Sequence, residues 1–268
     1  MTRIKEDKDL LQDIVTKHRA GFAAGASTEL RAQRSLQRRV VMLKGNLAGN
    51  ARTDTKGVSA RVYRNGVYGF ASAADMNDAA VKAVLDNATS NAAFLDKHAG
   101  QARGVLPTIA RGTLPTQPDM ADLPQKVYID YLKALDDYIQ QKYPDLASRT
   151  VVSSSDSMEK IICTSDGYTA HIIAPRSYIY IILNSQTKDG VPVELFKAVG
   201  GRGTFDAHFT DPALMYPTID TLYERLMHKR EGVYASAGVK TCILGGELAG
   251  MLAHEAVGHT VEADLVLG

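Results

Sequence analysis

The stretch that most constrains this chain lies near its end, in residues 245–264, which read GGELAGMLAHEAVGHTVEAD. Its apolar residues recur at helical spacing and predict one face of a helix: Leu248, Met251 and Leu252. Three ionisable residues continue the same face: Glu255, His259 and Glu262. A buried carboxylate or imidazole is costly without partners, so this face requires a metal ion, a charge-paired network or solvent. We predict a metal site, with a structural polar network as the alternative.

The spacing of the histidines predicts a distortion of that helix. His254, Glu255 and His259 form the pattern H-E-x-x-x-H. On a regular α-helix, residues five apart point about 140° away from each other, so the two imidazoles would not share an ion. A local i→i+5 turn or a kink would bring them together, and Gly258 offers the backbone freedom for it. We therefore expect a bulged or kinked helix near Gly258 with convergent histidine side chains.

The wording MLAHEAVGHTVEAD, residues 251–264, resembles the signature of the TldD/PmbA family, specifically of its HExxxH-bearing TldD type. The resemblance implies a metal-dependent peptidase that hydrolyses unfolded or short peptides. It implies that His254 and His259 bind a divalent metal, zinc, and that the catalytic Glu255 activates a metal-bound water. It also implies a partner chain, in a homodimer or in a heterodimer with a PmbA/TldE-like protein.

Two other functions stay open on the sequence. The chain is a non-catalytic regulatory or assembly protein if its histidines serve only structure. It is a non-peptide metal hydrolase if the metal acts on another substrate. Metal content separates the first alternative from a peptidase, and a peptide-cleavage assay separates the second.

The motif supplies only two good ligands, whereas a catalytic zinc normally takes three protein ligands and a water. Cys242 is a poor third ligand because it precedes the start of the helix. Glu262 and Asp264 are within reach, but Glu262 fits better as a hydrogen-bonded partner of a metal-binding imidazole. The family resemblance implies a cysteine ligand in a following β-rich domain, which has no counterpart here. We expect a fragment that binds metal weakly and is inactive alone.

Charge and composition exclude some classes of function. The 268 residues carry a formal net charge of +1, which does not indicate a nucleic-acid-binding protein. The basic residues of one stretch are predicted to lie on a solvated strand face: Arg31, Arg34, Arg38 and Arg39. The N-terminus is charged from its third residue and no apolar run approaches the length of a membrane span. Cys163 and Cys242 have no disulfide framework around them, so we expect a soluble, cytoplasmic protein without membrane contact.

Periodicity predicts an α+β fold. Apolar residues at helical spacing predict four helices, over residues 8–24, 77–96, 124–142 and 217–230. Alternating residues predict two strands in 27–48, a hairpin in 59–72 turning at Asn65-Gly66, and a meander of four or five strands in 150–200. The proline-rich residues 100–124 predict a surface connection. His18 and His171 are predicted not to be ligands.

These elements predict two domains. Residues 1–235 are expected to form an N-terminal α+β domain with helices packed on an antiparallel sheet. Residues 236–268 are expected to begin a truncated, β-rich catalytic domain, with a strand from Gly238 to Leu244 leading through Gly245-Gly246 into the motif helix. The stretch Gly200-Gly201-Arg202-Gly203 is expected to be a turn or loop near the substrate path.

Overall fold

A computed structural model describes residues 16–98, 123–262 and 265. The chain divides into two compact units, Met1–Glu231 and Gly232–Gly268. The division of function between an N-terminal domain, 1–235, and a catalytic domain, 236–268, stays a prediction.

The first unit is built on a six-stranded sheet in the order β3-β2-β1-β4-β5-β6, with every neighbouring pair antiparallel. The strands are β1 (Ser27–Leu43), β2 (Asn46–Arg64), β3 (Val67–Ala73), β4 (Ser148–Thr164), β5 (Thr169–Gln186) and β6 (Pro192–Arg202). The prediction of an α+β fold on an antiparallel sheet is confirmed.

Three helices cover one face of this sheet: α1 (Asp78–His98), α2 (Gln125–Lys142) and α3 (Tyr216–Arg230). Successive side chains of a strand point to opposite faces, so one set of alternate residues meets the helices. In β1 this set includes Leu30 and Ala32, which belong to a core shared with α1, and Val40 and Met42, which belong to a second core shared with α2 and α3. The sheet therefore carries two apolar cores side by side on the same face.

Helix α1 lies unusually close to the backbone of strand β3. A β-carbon on Gly69 of β3 would stand 2.0 Å from the carbonyl oxygen of Ala88 and 2.3 Å from the backbone nitrogen of Ala92. Only glycine permits this approach, because real atoms do not reach such distances. Gly69 therefore sets how close α1 lies to the sheet.

An ionic network on Asp220 connects α2 to α3. The carboxylate of Asp220 accepts hydrogen bonds from the hydroxyls of Tyr138 and Tyr143, both at 2.7 Å, and from the ammonium of Lys142 at 2.8 Å. Burial raises the pKa of Asp220, but these three donors outweigh it and the net shift is downward. The network stabilises the ionised carboxylate between the two helices.

Two tight turns join neighbouring strands, and one of them was predicted. Asn65 and Gly66, with φ of 46° and 91°, join β2 to β3, as type I′ geometry requires. Lys44 and Gly45 have the same signs of φ and join β1 to β2. The predicted hairpin is confirmed, and residues 27–48 hold one 17-residue strand and the start of the next.

The predicted meander in residues 150–200 contains three long strands, so the count of four or five was wrong. Asp156 and Ser157, which are residue types common in turns, lie within β4 and pair with Arg176 and Pro175 of β5. The true turns contain Gly167 and Gly190, with φ of 94° and 79°. Cross-strand pairing overrides the local turn preference of Asp-Ser.

Two predictions about the first unit were wrong in detail. Arg38 does not lie on a solvated strand face: it is buried, donates to the carbonyl oxygen of Leu123 and lies 5.0 Å from the ring centre of Tyr128. The sequence Gly200-Gly201-Arg202 belongs to β6 rather than to a loop. Gly200 is needed there because its φ is 131° and a β-carbon would meet the carbonyl oxygen of Ser177 at 2.0 Å.

Other predicted elements lie at the margins of the described residues. Residues 1–15 and 99–122 lie outside the described residues. They contain about half of the predicted first helix and nearly all of the proline-rich connection. His18 begins a short 3₁₀-helix, His18–Gly21. The helices predicted over 77–96, 124–142 and 217–230 are confirmed within two residues.

The second unit contains helix α4 (Gly246–Ala253), followed by the motif. The strand predicted from Gly238 to Leu244 is wrong, since these residues pair with no described strand. Val239 and Ile243 are almost fully exposed, and a β-strand requires a partner for its backbone groups. Among the helices of the described residues, none has the length and apolar character of a membrane span.

Candidate metal centre

The motif begins where α4 ends. Gly245 has extended backbone angles and accepts the first helical hydrogen bond, from the N–H of Ala249 at 2.9 Å. The helix continues regularly to Ala253 and then widens into one π-helical turn, His254–Gly258, before a 3₁₀ turn, His259–Val261. The backbone N–H of His259 donates to the carbonyl oxygen of His254, which is the i→i+5 bond predicted from the histidine spacing.

This wider turn brings the two imidazoles together. The ring centres of His254 and His259 lie 4.4 Å apart at an interplanar angle of 69°. One ligand atom from each of His254, Glu255 and His259 lies within 4.8 Å of the others. The prediction that the two histidine side chains converge is confirmed, and π-turns of this kind occur frequently at functional sites.

Gly258 serves the turn for a different reason from the one predicted. Its φ and ψ of −60° and −52° are ordinary helical values, so the turn uses none of the freedom peculiar to glycine. Its missing side chain matters instead, because a β-carbon would stand 3.3 Å from Nδ1 of His254. Glycine makes room for the imidazole.

The carboxylate of Glu262 lies against the second imidazole. Nδ1 of His259 lies 2.7 Å from Oε1 of Glu262, and Nε2 lies 3.8 Å from Oε2 of Glu255. If the proton is on Nδ1, it donates to Glu262 and leaves Nε2 with the lone pair that a metal ion requires. Metal-binding histidines usually donate their other N–H to such a carboxylate. The i,i+3 spacing was a signal that linked Glu262 to His259 in particular.

The donor set fits a zinc-type ion. Imidazole nitrogens, such as the two that His254 and His259 offer, are ligand atoms that zinc takes in catalytic sites, and the carboxylate of Glu255 lies beside them. All three residues lie on the surface of the second unit, with the side chain of His259 42% exposed and that of Glu255 68% exposed. Among the described residues, no fourth His, Cys, Asp or Glu joins the group, and Asp264 lies outside them. Cys242 is exposed and is not among these three.

The other histidines singled out in the sequence have structural partners. Nε2 of His18 lies 2.9 Å from Asp78, and Nε2 of His171 lies 2.8 Å from Glu159 on the neighbouring strand. Neither belongs to the His254 group. The first pair connects the short 3₁₀-helix to α1, and the second connects β5 to β4.

The sequence of the first unit matches a known family model. Residues 28–92 match the model described as PmbA/TldA metallopeptidase domain 1. This segment contains nearly all of β1, the whole of β2 and β3, and most of α1. Gly69 of β3 lies within it. No curated protein matches the chain in a sequence search.

Three solved structures share the fold. A protein described as a modulator of DNA gyrase from Bacteroides thetaiotaomicron superposes with a TM-score of 0.63 at 13% identity, over 84% of this chain and 50% of its own. One from Thermotoga maritima gives 0.58 at 10% identity, over 87% and 50%. TldE from Thermococcus kodakarensis gives 0.58 at 14% identity, over 83% and 47%. The chain spans about half the length of these structures.

Over residues 28–92, the first unit is therefore similar to the first domain of a metallopeptidase-type family. The six-stranded sheet has the fold of these three solved structures.

Proposed function

We propose that this chain carries the metal-binding helix of a TldD-type peptidase that hydrolyses unfolded or short peptides. One observation carries the proposal: the π-turn brings His254, Glu255 and His259 within 4.8 Å of one another. A regular helix would hold the two imidazoles apart. The wider turn brings them together, which a helix with a purely structural role does not require.

Each residue of the motif has a distinct role in this proposal. His254 and His259 hold a divalent metal, zinc, and Glu262 fixes the tautomer of His259 through Nδ1. Zinc, when bound, acts as a Lewis acid toward the peptide carbonyl. Glu255 is the general base: it takes a proton from the attacking water and returns it to the leaving amine. The exposed carboxylate of Glu255 is free to face a substrate.

The proposed function also requires a third metal ligand and a partner chain. A third ligand comes from another part of the protein or from a partner, because three protein ligands are usual in catalytic zinc sites. The partner is a second copy or a PmbA/TldE-like chain. The two free thiols, Cys163 and Cys242, fit a reducing compartment, and we place the protein in the cytoplasm.

Metal titration tests the ligands. The chain is titrated with Zn²⁺ by calorimetry, beside His254→Ala and His259→Ala. Either substitution should reduce the affinity by at least about 100-fold, because it removes one of two imidazoles. His228→Ala is the matched control, since His228 is exposed on α3 and belongs to no ligand group. Equal affinity in all four proteins would refute the site.

Peptide turnover tests the general base. In the assembled enzyme, Glu255→Gln should keep the metal because both imidazoles stay in place, and should lose about 100-fold or more in turnover. His259→Ala should lose metal and turnover together. Undiminished turnover in Glu255→Gln would rule out this mechanism.

A further inference from the structure

Between the two apolar cores, the helix-covered face of the sheet becomes polar. On β4, one core ends at Ile161 and the other begins at Val151. Alternate residues of a strand share a face, so Ser153 and Ser155 point to the helix-covered face from between the two cores. Ser177 of β5 lies directly opposite Ser155 and shares this face. These three serines form one group, which we call the serine patch.

The hydroxyl groups of the serine patch are buried. Each of Ser153, Ser155 and Ser177 is only 1% exposed. None of their hydroxyl oxygens has a hydrogen-bond partner among the described residues. A buried hydroxyl without a hydrogen bond is costly, and native proteins contain few such groups. Three of them side by side point to a ligand that supplies the missing hydrogen bonds.

The spacing of the serines suits a ligand the size of water. Directly opposite residues, such as Ser155 and Ser177, have β-carbons about 4.5–5.5 Å apart, and no hydrogen bond joins their hydroxyls. A water that bonds to two oxygens at about 2.8 Å spans up to about 5–6 Å. Ser153 lies two residues along the strand from Ser155, about 7 Å away. A second water is therefore needed to reach it.

The neighbouring positions leave room for such a ligand. Gly201 of β6 pairs with Ser177 and continues the same row across the sheet. A β-carbon on Gly201 would meet no atom of the described residues within 4 Å. Serine is also smaller than Ile179 and Ile181, which fill the next positions of β5 on this face. The row from Ser155 to Gly201 is therefore the least filled part of the face.

The chemistry of the patch favours a neutral ligand. A serine hydroxyl both donates and accepts a hydrogen bond and carries no charge. Arg38 of β1 lies opposite Ser155 on its other side, but its guanidinium donates to the carbonyl oxygen of Leu123 and lies over the ring of Tyr128. Water, which donates and accepts twice each, matches the hydroxyls without bringing a charge into the interior.

We propose that the serine patch is a binding site for ordered water, in which one molecule bridges the hydroxyls of Ser155 and Ser177 and a second bridges Ser153 to Ser155. The inference concerns the first unit alone and depends neither on peptidase activity nor on a partner chain. The waters complete the hydrogen bonds of groups that bulk solvent does not reach. They connect β4 to β5 through side chains where apolar packing is interrupted.

A crystal structure of this chain, at a resolution that shows ordered water, tests the site directly. An oxygen should lie about 2.6–3.2 Å from the Oγ atoms of both Ser155 and Ser177. The same oxygen should be missing from crystals of Ser155→Ala. Absence of an ordered oxygen in the parent, or a direct hydrogen bond between the two serines, overturns the proposal.

Thermal unfolding is an independent test, because the presence or absence of water predicts opposite signs. Ser155→Ala should lower the melting temperature by about 2–4 °C, since it removes one of the two hydroxyls that hold the water. A hydroxyl without any partner would instead destabilise the fold, and its removal would raise the melting temperature. Ser154→Ala is the matched control for strand propensity, because Ser154 lies beside Ser155 on the opposite face. It should change the melting temperature by less than about 1 °C.

The double variant Ser155→Ala/Ser177→Ala tests whether both hydroxyls hold the same water. Either substitution alone should remove the bridge. The double variant should therefore lower the melting temperature by about as much as one single variant, rather than by both decreases together. Combining Ser154→Ala with Ser155→Ala should give additive effects. Additive decreases for Ser155 and Ser177, or an increase in either single variant, overturn the proposal.

Discussion

The imidazole of His254 lies directly against Gly258: a β-carbon on this glycine would stand 3.3 Å from Nδ1 and 3.9 Å from Cγ of the histidine. This separation is tighter than an ordinary van der Waals contact, so the ring would have to move by a few tenths of an ångström. The five-residue turn therefore depends on a small residue at its end.

Gly258→Ala should weaken zinc binding by about tenfold, because the new methyl group displaces a ligand whose orientation sets the affinity. The helix itself should become slightly more stable, since alanine is favoured over glycine at helical angles. Gly250→Ala in α4 is the matched control, as its β-carbon would meet nothing within 4 Å. Zn²⁺ titration and far-UV circular dichroism separate the two effects. Equal affinities in both variants would contradict the steric role of Gly258.

Glu262→Ala should also reduce zinc affinity by about tenfold, and Glu262→Gln by less. The alanine variant removes the acceptor of the 2.7 Å hydrogen bond to Nδ1 of His259, whereas glutamine keeps an oxygen there without the charge. The tautomer of His259 provides a readout that needs no metal. Nitrogen NMR should show the proton on Nδ1 in the parent and a mixture in Glu262→Ala. An unchanged tautomer would show that Glu262 does not position the ring.

Asp220→Asn should lower the melting temperature near neutral pH by about 2–4 °C, corresponding to about 1 kcal/mol after allowance for solvent screening. The pKa of Asp220 is lowered in the folded state, so its contribution is present above the unfolded value near 4 and disappears as the pH falls through the lower folded value. Burial and the nearby Asp220 carboxylate raise the pKa of Tyr143 to about 12, so its hydroxyl still donates at neutral pH.

The measurement is thermal unfolding of parent and variant from pH 2 to 8. The two curves should converge at the acid end. Asp137→Asn is the control, because Asp137 makes only a surface pair with Lys133 and should shift the melting temperature by less than about 1 °C. A difference for Asp220→Asn that persists unchanged at the lowest pH would show that charge is not its cause.

Features governed by local chemistry could be predicted from the sequence. Two histidines five residues apart require a five-residue turn if they are to meet, and that turn is present. Asn65-Gly66 requires positive φ at both positions and forms the hairpin. The pairing of Glu262 with His259 could be predicted from their i,i+3 spacing, but which ring nitrogen faces the carboxylate could not.

Features governed by tertiary pairing were not predictable. β5 continues through Pro175, which normally interrupts a strand. β6 pairs only as far as Arg176, so no strand of the described residues pairs with that side of the proline. The backbone oxygen of Pro175 instead accepts from the N–H of Gly203. The burial of Arg38 likewise depends on Leu123 and Tyr128, more than eighty positions away.

The order of the strands has a consequence for how the sheet assembles. β1–β2–β3 and β4–β5–β6 are each joined by short turns, but the pairing of β1 with β4 joins residues more than one hundred positions apart. Each half forms from local contacts, whereas the seam between them must close a long loop before it gains any stabilisation. Folding should therefore be limited by this one event. Substitutions at the seam, such as at Val40 opposite Ser153, should slow folding more than equally destabilising changes in either outer strand.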